Sequence, residues 1–161
     1  MRFVIYGAGG IGGVISGHLL KTECNLIGVT TNPDVLACVN QNGFTLIENG
    51  QQWTVSGGAY SQPPTDARFD YIFLATQPPQ VEAAAESAAA FLAEGGSFVV
   101  FQNGLIESRL AKKYGAERII GSIIAWGASM RSPGIYQRTS PGGFTIGRLH
   151  GGADDSVYRL E

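Results

Sequence analysis

Three glycines near the start of the chain, Gly7, Gly9 and Gly12, have the spacing G-x-G-x-x-G. In a dinucleotide-binding turn with this spacing, the first glycine allows a tight turn and the second lets a pyrophosphate approach the backbone. The third lets the helix pack closely on the strand. The phosphates would bind the free amides and the positive dipole at the helix N-terminus. The alternative is a close-packed turn without a ligand. Because these glycines follow an apolar strand and open a helix, we favour dinucleotide binding. The predicted cofactor-binding loop is Gly7, Ala8, Gly9, Gly10, Ile11 and Gly12.

The residues after the second predicted strand bear on which dinucleotide binds. NAD-preferring sites usually carry Asp or Glu about 20 residues beyond the glycines, but no carboxylate lies between Glu23 and Asp34. Thr31 and Asn32 offer neutral hydrogen bonds that are compatible with a 2′-phosphate, although no arginine accompanies them. Asp34 is explained as a first-turn residue that the helix dipole favours. The sequence therefore favours NADP over NAD, with Thr31 and Asn32 in the site.

The elements that would position these residues alternate between strand and helix. Buried strands are predicted at 2–6, 25–30, 70–76, 97–102 and 118–130. Helices are predicted from the glycines to Lys21, at 33–42 between an Asn32 N-cap and a Gly43 C-cap, within 80–96, and at 105–114. Hairpins are predicted at 44–55, with Asn49-Gly50 at the turn, and around 141–143, and 56–68 is predicted to be a loop.

This alternation predicts an α/β fold, a Rossmann-like, doubly wound and mostly parallel sheet with helices on both faces. Residues 1–149 are interpreted as a dinucleotide-binding domain and 150–161 as the start of an interdomain segment. The boundary between the two is placed where the last predicted strand gives way to a polar stretch.

Composition argues against several other classes of protein. The 161 residues carry 11 Lys and Arg against 13 Asp and Glu, without a basic block that would indicate nucleic-acid binding. Two cysteines without C-x-x-C spacing argue against a metal site and a disulfide framework. No apolar stretch is long enough to span a membrane and no signal peptide is recognised, so a cytoplasmic location is expected.

Several segments, in the same order along the chain, resemble the ketopantoate reductase family. They are GAGGIGG, VNQNGFTL, DYIFLATQPPQV, FQNGLIESRL and GSIIAWGASMRSPGIYQRTSPGGFTIGRL. The most specific is the strand-end QNG followed by a helix start that carries a glutamate. The resemblance implies NADPH-dependent reduction of 2-dehydropantoate to pantoate, in pantothenate biosynthesis. It also implies a Rossmann-like N-terminal domain and a helical C-terminal domain, with the active site between them.

The resemblance assigns roles to three further positions. Asn103 matches the family's asparagine near the nicotinamide and the substrate, which implies a catalytic and cofactor-binding role. From the residues alone, a turn beside Gly104 explains Asn103 nearly as well. Gly127 falls where the family's backbone approaches the nicotinamide, and Gln77 falls on a position where the family carries lysine. The arginine that the family carries after the second strand falls near Asn32.

The resemblance also places the general acid of the family, a lysine, in the C-terminal domain, which these 161 residues do not include. We therefore interpret the chain as the part that binds NADPH and expect no turnover from it alone. The alternatives are a dehydrogenase of the same superfamily with another substrate, and a non-catalytic NAD(P)-sensing module. The expected partners are a small 2-keto acid and, in the full-length protein, a second copy in a homodimer. Nucleic acid, membrane and metal are not expected.

Overall fold

The computed structural model describes residues 1–102, 105–149 and 151–160. The helices described are α1 (Gly10–Lys21), α2 (Pro33–Asn42), α3 (Val81–Ala88), α4 (Ile106–Tyr114) and α5 (Asp155–Tyr158). The first six strands are β1 (Arg2–Tyr6), β2 (Asn25–Val29), β3 (Phe44–Glu48), β4 (Gln51–Val55), β5 (Gly58–Tyr60) and β6 (Phe69–Leu74). The remaining strands are β7 (Leu92–Val100), β8 (Ile119–Ile124), β9 (Ala128–Ser132), β10 (Ile135–Arg138) and β11 (Phe144–Arg148).

Seven strands form the main sheet, in the order β11-β8-β7-β6-β1-β2-β5. All neighbours are parallel except β11, which runs antiparallel to β8. β1 is buried along nearly its whole length, as expected for a parallel strand that is covered on both faces. Separate apolar clusters lie on the two faces, one against α3 and α4 and the other against α1. The predicted Rossmann-like fold is confirmed.

A smaller sheet with the order β4-β3-β10-β9 lies against α1. Its contact with the helix depends on two glycines that the dinucleotide motif does not require. A side chain on Gly13 would overlap the ring of Tyr136, and one on Gly17 would overlap Leu46. The run of glycines in α1 therefore serves two purposes, because one group shapes the turn and the other lets the second sheet approach.

Local signals predicted the first half of the chain well. The hairpin between β3 and β4 turns at Asn49-Gly50, where both residues have positive φ, of 49° and 76°. The side chain of Asn32 caps α2, and the helix ends at Gly43 with a φ of 83°. Each of these features is determined by residues adjacent in sequence.

Four predictions about the elements were wrong. The segment 56–68 contains β5, and the strand predicted over 118–130 is divided into β8 and β9, which belong to different sheets. The helix predicted within 80–96 ends at Ala88, and β7 begins at Leu92. The hairpin around 141–143 does not form, since β10 and β11 also lie in different sheets; β9 and β10 form the hairpin instead.

The segment after β11 folds back onto the main sheet. The Tyr71 hydroxyl donates to the Ser156 carbonyl oxygen at 2.8 Å, and Val157 is fully buried. The domain boundary at 149/150 stays a prediction. Within the described residues, no helix is long and apolar enough to cross a membrane.

Candidate functional site

A cleft of about 480 Å³ opens at the carboxyl edge of the main sheet, where β1, β2 and β6 end. The glycine loop after β1 forms its floor, and the first residues of α2 and one face of α3 form its walls. In open α/β sheets, ligands bind in the crevice beyond the carboxyl ends of the strands. The predicted dinucleotide site thus coincides with a cleft.

The three motif glycines have different environments. Gly7 has a φ of 103°, and a Cβ atom there would lie 2.7 Å from the backbone of Ala75. A side chain on Gly12 would overlap the carbonyl oxygen of Gly7, so close packing requires glycine at both positions. Gly9 has an ordinary extended backbone, and no heavy atom beyond its chain neighbours lies within 4 Å of the position a Cβ atom would take. Gly9 therefore faces open space in the cleft, where the motif places a pyrophosphate.

The N-terminus of α1 is free to bind an anion. Gly9 is the N-cap and provides no side chain to satisfy the first amides, and the first turn carries no acidic residue. The first amides of a helix have no partner within the helix. Together with the positive end of the helix dipole, they form a ready site for phosphate. The residues present therefore fit a dinucleotide pyrophosphate.

The other predicted residues of the loop contribute in different ways. Ala8 is buried and lines the cleft. A side chain on Gly10 would collide with the backbone of Ala128 on β9, and Ile11 packs into the apolar cluster under α1. Neither residue lines the cleft.

Polar residues from two strand ends form the wall farthest from α3. Thr31 and Asn32 are exposed there, as predicted. The Asn32 Oδ1 accepts the amides of Asp34 and Val35, at 3.0 and 3.3 Å, and thereby caps α2. Its amide nitrogen is the group left for a ligand.

Ser61 and Gln62 line the same wall and were not predicted. They follow β5, whose last residue, Tyr60, accepts the Thr30 amide at 3.0 Å. The side chain of Asn40 holds β5 in place with two hydrogen bonds to the backbone of Ala59, at 2.8 and 2.9 Å. No local sequence signal indicated that β5 would bring Ser61 and Gln62 to the cleft.

Among the described residues that line the cleft there is no Asp, Glu, Lys, Arg or His. Burial raises the pKa of the Tyr6 phenol to about 12, so this group stays neutral at physiological pH. A ligand is therefore held by neutral hydrogen bonds, by apolar contacts and by the dipole of α1.

The structure brings only one of the three remaining predicted residues to the cleft. Gln77 is exposed on its wall, just before α3 and the short turn that leads to it. Gly127 lies outside, and both of its backbone groups are used. Its amide donates to the Ser140 hydroxyl and its carbonyl accepts the Thr139 amide, each at 2.8 Å. Asn103 lies outside the described residues. The cofactor roles assigned to these positions and to the glycine loop stay predictions.

A family model and curated relatives that match this chain belong to the same family. A family model described as "Ketopantoate reductase PanE/ApbA" matches residues 3–151. A curated 2-dehydropantoate 2-reductase of Mesorhizobium japonicum is 24% identical over 181 residues, which cover 99% of this chain and 56% of the relative. The chain thus spans about half the length of the curated relatives it matches.

Two solved structures share the fold. The 2-dehydropantoate 2-reductase of Porphyromonas gingivalis superposes with a TM-score of 0.88 at 16% identity, over 99% of this chain and 59% of that one. A D-mandelate dehydrogenase solved with NADH and anilino(oxo)acetate gives a TM-score of 0.82 at 18% identity, over 99% and 51% of the two chains.

Proposed function

The chain belongs to the ketopantoate reductase family, whose members are nicotinamide-dependent oxidoreductases, and we propose that it is the NADPH-binding part of a reductase for a small 2-keto acid. In the family the substrate is 2-dehydropantoate and the product is pantoate. The observation that carries this proposal is the uncapped N-terminus of α1, which opens at Gly9 into a cleft whose described residues carry no charged side chain.

We favour NADPH over NADH because the cleft residues in the described part of the chain include no carboxylate that would repel a 2′-phosphate. Thr31, Ser61 and Gln62 present neutral donors and acceptors on the wall that a ribose would contact. No arginine lies among the cleft residues to bind the phosphate with a full charge. The expected preference for NADPH is therefore modest.

In the proposed reaction, the residues of this chain bind and orient the cofactor and the substrate. When bound, the cofactor supplies a hydride from its nicotinamide ring. The first-turn amides of α1 hold the pyrophosphate, and the exposed Gln77 offers a neutral amide at the end of the cleft near β6. Gln77 hydrogen-bonds the substrate, but it cannot neutralise a substrate carboxylate as a lysine would.

The alkoxide that forms from the keto group requires a proton, and the cleft offers no suitable donor. Of the cleft residues that the structure describes, only Tyr6 has an ionisable side chain, and its pKa of about 12 makes it a poor acid. A positioned acid typically contributes about 10²–10⁴-fold to the rate. We propose that the additional length found in the relatives supplies this acid and excludes water from the site.

The test combines cofactor binding with turnover. The 161-residue chain is expected to bind NADPH in a fluorescence titration but to reduce 2-dehydropantoate only negligibly. A protein extended to the length of its relatives is expected to reduce a 2-keto acid. In that longer protein, Asn103→Ala is expected to lower kcat more than cofactor affinity. Rapid turnover by the 161-residue chain alone would show that the active site has been misplaced.

A second candidate function is an NAD(P)-sensing module without turnover. The observation that favours it is that the described cleft residues carry no charge, with Gln77 at the position where the family carries lysine. The extended protein separates the two proposals. A sensor of that length would bind NADPH about as tightly as the 161-residue chain but would reduce none of a panel of 2-keto acids. A reductase with another substrate would reduce at least one of them. The proposed homodimer and cytoplasmic location remain predictions.

A further inference from the structure

The edge strand β5 carries one wall of the cleft. It is the last strand of the main sheet and pairs with β2. The Thr30 amide donates to the Tyr60 carbonyl oxygen at 3.0 Å, so this pairing continues to the carboxyl ends of both strands. The residues that follow, Thr31 after β2 and Ser61 after β5, both line the cleft. The position of β5 therefore determines where Ser61 and its neighbour Gln62 lie.

The outer side of β5 is paired with a side chain rather than with another strand. Asn40 of α2 donates from Nδ2 to the Ala59 carbonyl oxygen at 2.8 Å and accepts the Ala59 amide on Oδ1 at 2.9 Å. A carboxamide offers a donor and an acceptor side by side, so it satisfies the two groups that an edge strand leaves unpaired. Ala59 is buried in one apolar cluster with Val35 and Val39 of α2. β5 is thus fixed to α2 at its central residue.

This contact supports the cleft from outside. Asn40 is not among the described residues that line the cleft, and both of its hydrogen bonds end on the backbone of Ala59. β5 is only three residues long, so it has few hydrogen bonds of its own to hold its position. Losing the Asn40 carboxamide would therefore loosen Ser61 and Gln62 without removing any group that a ligand touches.

The wall that β5 carries lies where NADPH and NADH differ. In dinucleotide-binding folds, the end of the second strand contacts the ribose that carries the 2′-hydroxyl or the 2′-phosphate. Ser61 and Gln62 are exposed beside that strand end, and their side chains can donate hydrogen bonds to phosphate oxygens. Since no Lys or Arg occurs among the described cleft residues, these neutral donors must be well placed. Hydrogen bonds weaken steeply with poor geometry, so the position of β5 matters for recognition of the phosphate.

We propose that Asn40 is a positioning residue for cofactor selectivity, which holds β5 so that Ser61 and Gln62 hydrogen-bond the 2′-phosphate of NADPH. This inference rests on the proposed function, since it requires a nicotinamide dinucleotide in the cleft. It gives a surface residue of α2 an effect on the binding of one cofactor and not of the other.

The test measures the affinities of NADPH and NADH for Asn40→Ala. Alanine removes both hydrogen bonds to Ala59 but favours a helix more than asparagine does, so the variant is expected to fold. NADPH affinity is expected to fall about 3- to 10-fold, the loss of about one neutral hydrogen bond, while NADH affinity stays nearly unchanged. Asn42→Ala, on the same helix, is the matched control and is expected to change neither affinity. If Asn40→Ala does not fold, Asn40→Leu, which is similar in shape to asparagine, decides in its place.

A combined variant separates positioning from a general loss of structure. Ser61→Ala with Gln62→Ala removes the two side chains through which Asn40 is proposed to act. Adding Asn40→Ala to this pair is expected to lower NADPH affinity no further, because effects that pass through the same groups are not additive.

Three results would overturn the inference. They are equal losses of NADPH and NADH affinity in Asn40→Ala, an unchanged ratio of the two affinities, and a further loss of NADPH affinity in the triple variant. Failure of the parent chain to bind either dinucleotide would instead overturn the proposed function itself.

Discussion

The carbonyl oxygen of Gly7 occupies the space that a side chain on Gly12 would need. This contact holds the first turn of α1 against the end of β1, and it predicts that Gly12→Ala destabilises the fold. Overpacking of this kind costs about 1–3 kcal/mol, although alanine favours a helix interior over glycine by about 1 kcal/mol. The net loss is measured by chemical denaturation. Gly143→Ala is the control, because no heavy atom beyond its chain neighbours lies within 4 Å of the Cβ position there. A Gly12→Ala protein as stable as the parent would contradict the close packing.

Cofactor selectivity is tested at Thr31, which is exposed on the cleft wall. Thr31→Asp places a carboxylate near the proposed 2′-phosphate and is expected to weaken NADPH by about tenfold through like-charge repulsion. NADH affinity is expected to change much less. Thr31→Asn is the neutral control and should preserve the preference for NADPH. A parent chain that binds NADH tightly and NADPH not at all would refute the assignment.

The cap of α2 predicts a stability effect that is separate from cofactor binding. Asn32→Ala removes the oxygen that accepts the amides of Asp34 and Val35, and is expected to cost about 0.5–2 kcal/mol of unfolding free energy. Asn32→Asp retains a capping oxygen and should retain most of the stability. Urea denaturation of the three proteins without cofactor measures the effect. Equal stability of the Ala and Asp variants would show that the cap contributes nothing.

The segment after β11 is expected to loosen in acid. The Arg148 guanidinium, which donates to Asp154 at 2.8 Å, lowers the pKa of that carboxylate, with further hydrogen bonds from the amides of Val157 and Ser156. The folded state thus holds its proton less tightly than the unfolded state. The resulting stability is present above the unfolded pKa and is lost as the pH falls through the folded pKa.

Asp154→Asn separates the charge from the cap, since asparagine caps a helix about as well as aspartate. Its melting temperature is expected to be lower than that of the parent at neutral pH and to converge with it in acid. Melting curves across the acid range measure this difference. A gap that stays constant with pH would mean that the charge of Asp154 is not the cause.

The parts of the fold that the sequence predicted are those determined by neighbouring residues. The turn at Gly7, the cap at Asn32 and the hairpin at Asn49-Gly50 each depend on a few adjacent positions. β5 was missed because it is only three residues long and forms a strand only by pairing with β2. In this pairing Gly58 lies opposite Ile27. Pairing between distant segments leaves little trace in a local pattern.

The division between β8 and β9 was missed for a related reason. Residues 118–130 are apolar enough to look like one strand, but the chain passes from the main sheet to the small one between Ile124 and Ala128. Between β10 and β11 the chain returns from the small sheet to the main one, so the predicted hairpin around 141–143 was wrong. Only the presence of a second sheet, which packs on Gly13 and Gly17, explains these changes.

The candidate site was predictable in part. Of the residues identified from motif and resemblance, six line the cleft: Gly7, Ala8, Gly9, Thr31, Asn32 and Gln77. The rest of the predicted loop, Gly10, Ile11 and Gly12, does not line it. Ser61 and Gln62 could not be identified, because they reach the cleft only through the pairing of β5.

The most direct test of the account is a titration of Gly9→Val with NADPH. Gly9 has an extended backbone and open space around it, so valine should fit with little loss of stability while filling the position proposed for the pyrophosphate. Gly143→Val serves as the matched control away from the cleft. The account predicts that the parent and Gly143→Val bind NADPH and that Gly9→Val, with a melting temperature within a few degrees of the parent, does not. A folded Gly9→Val protein that binds NADPH as tightly as the parent would contradict it.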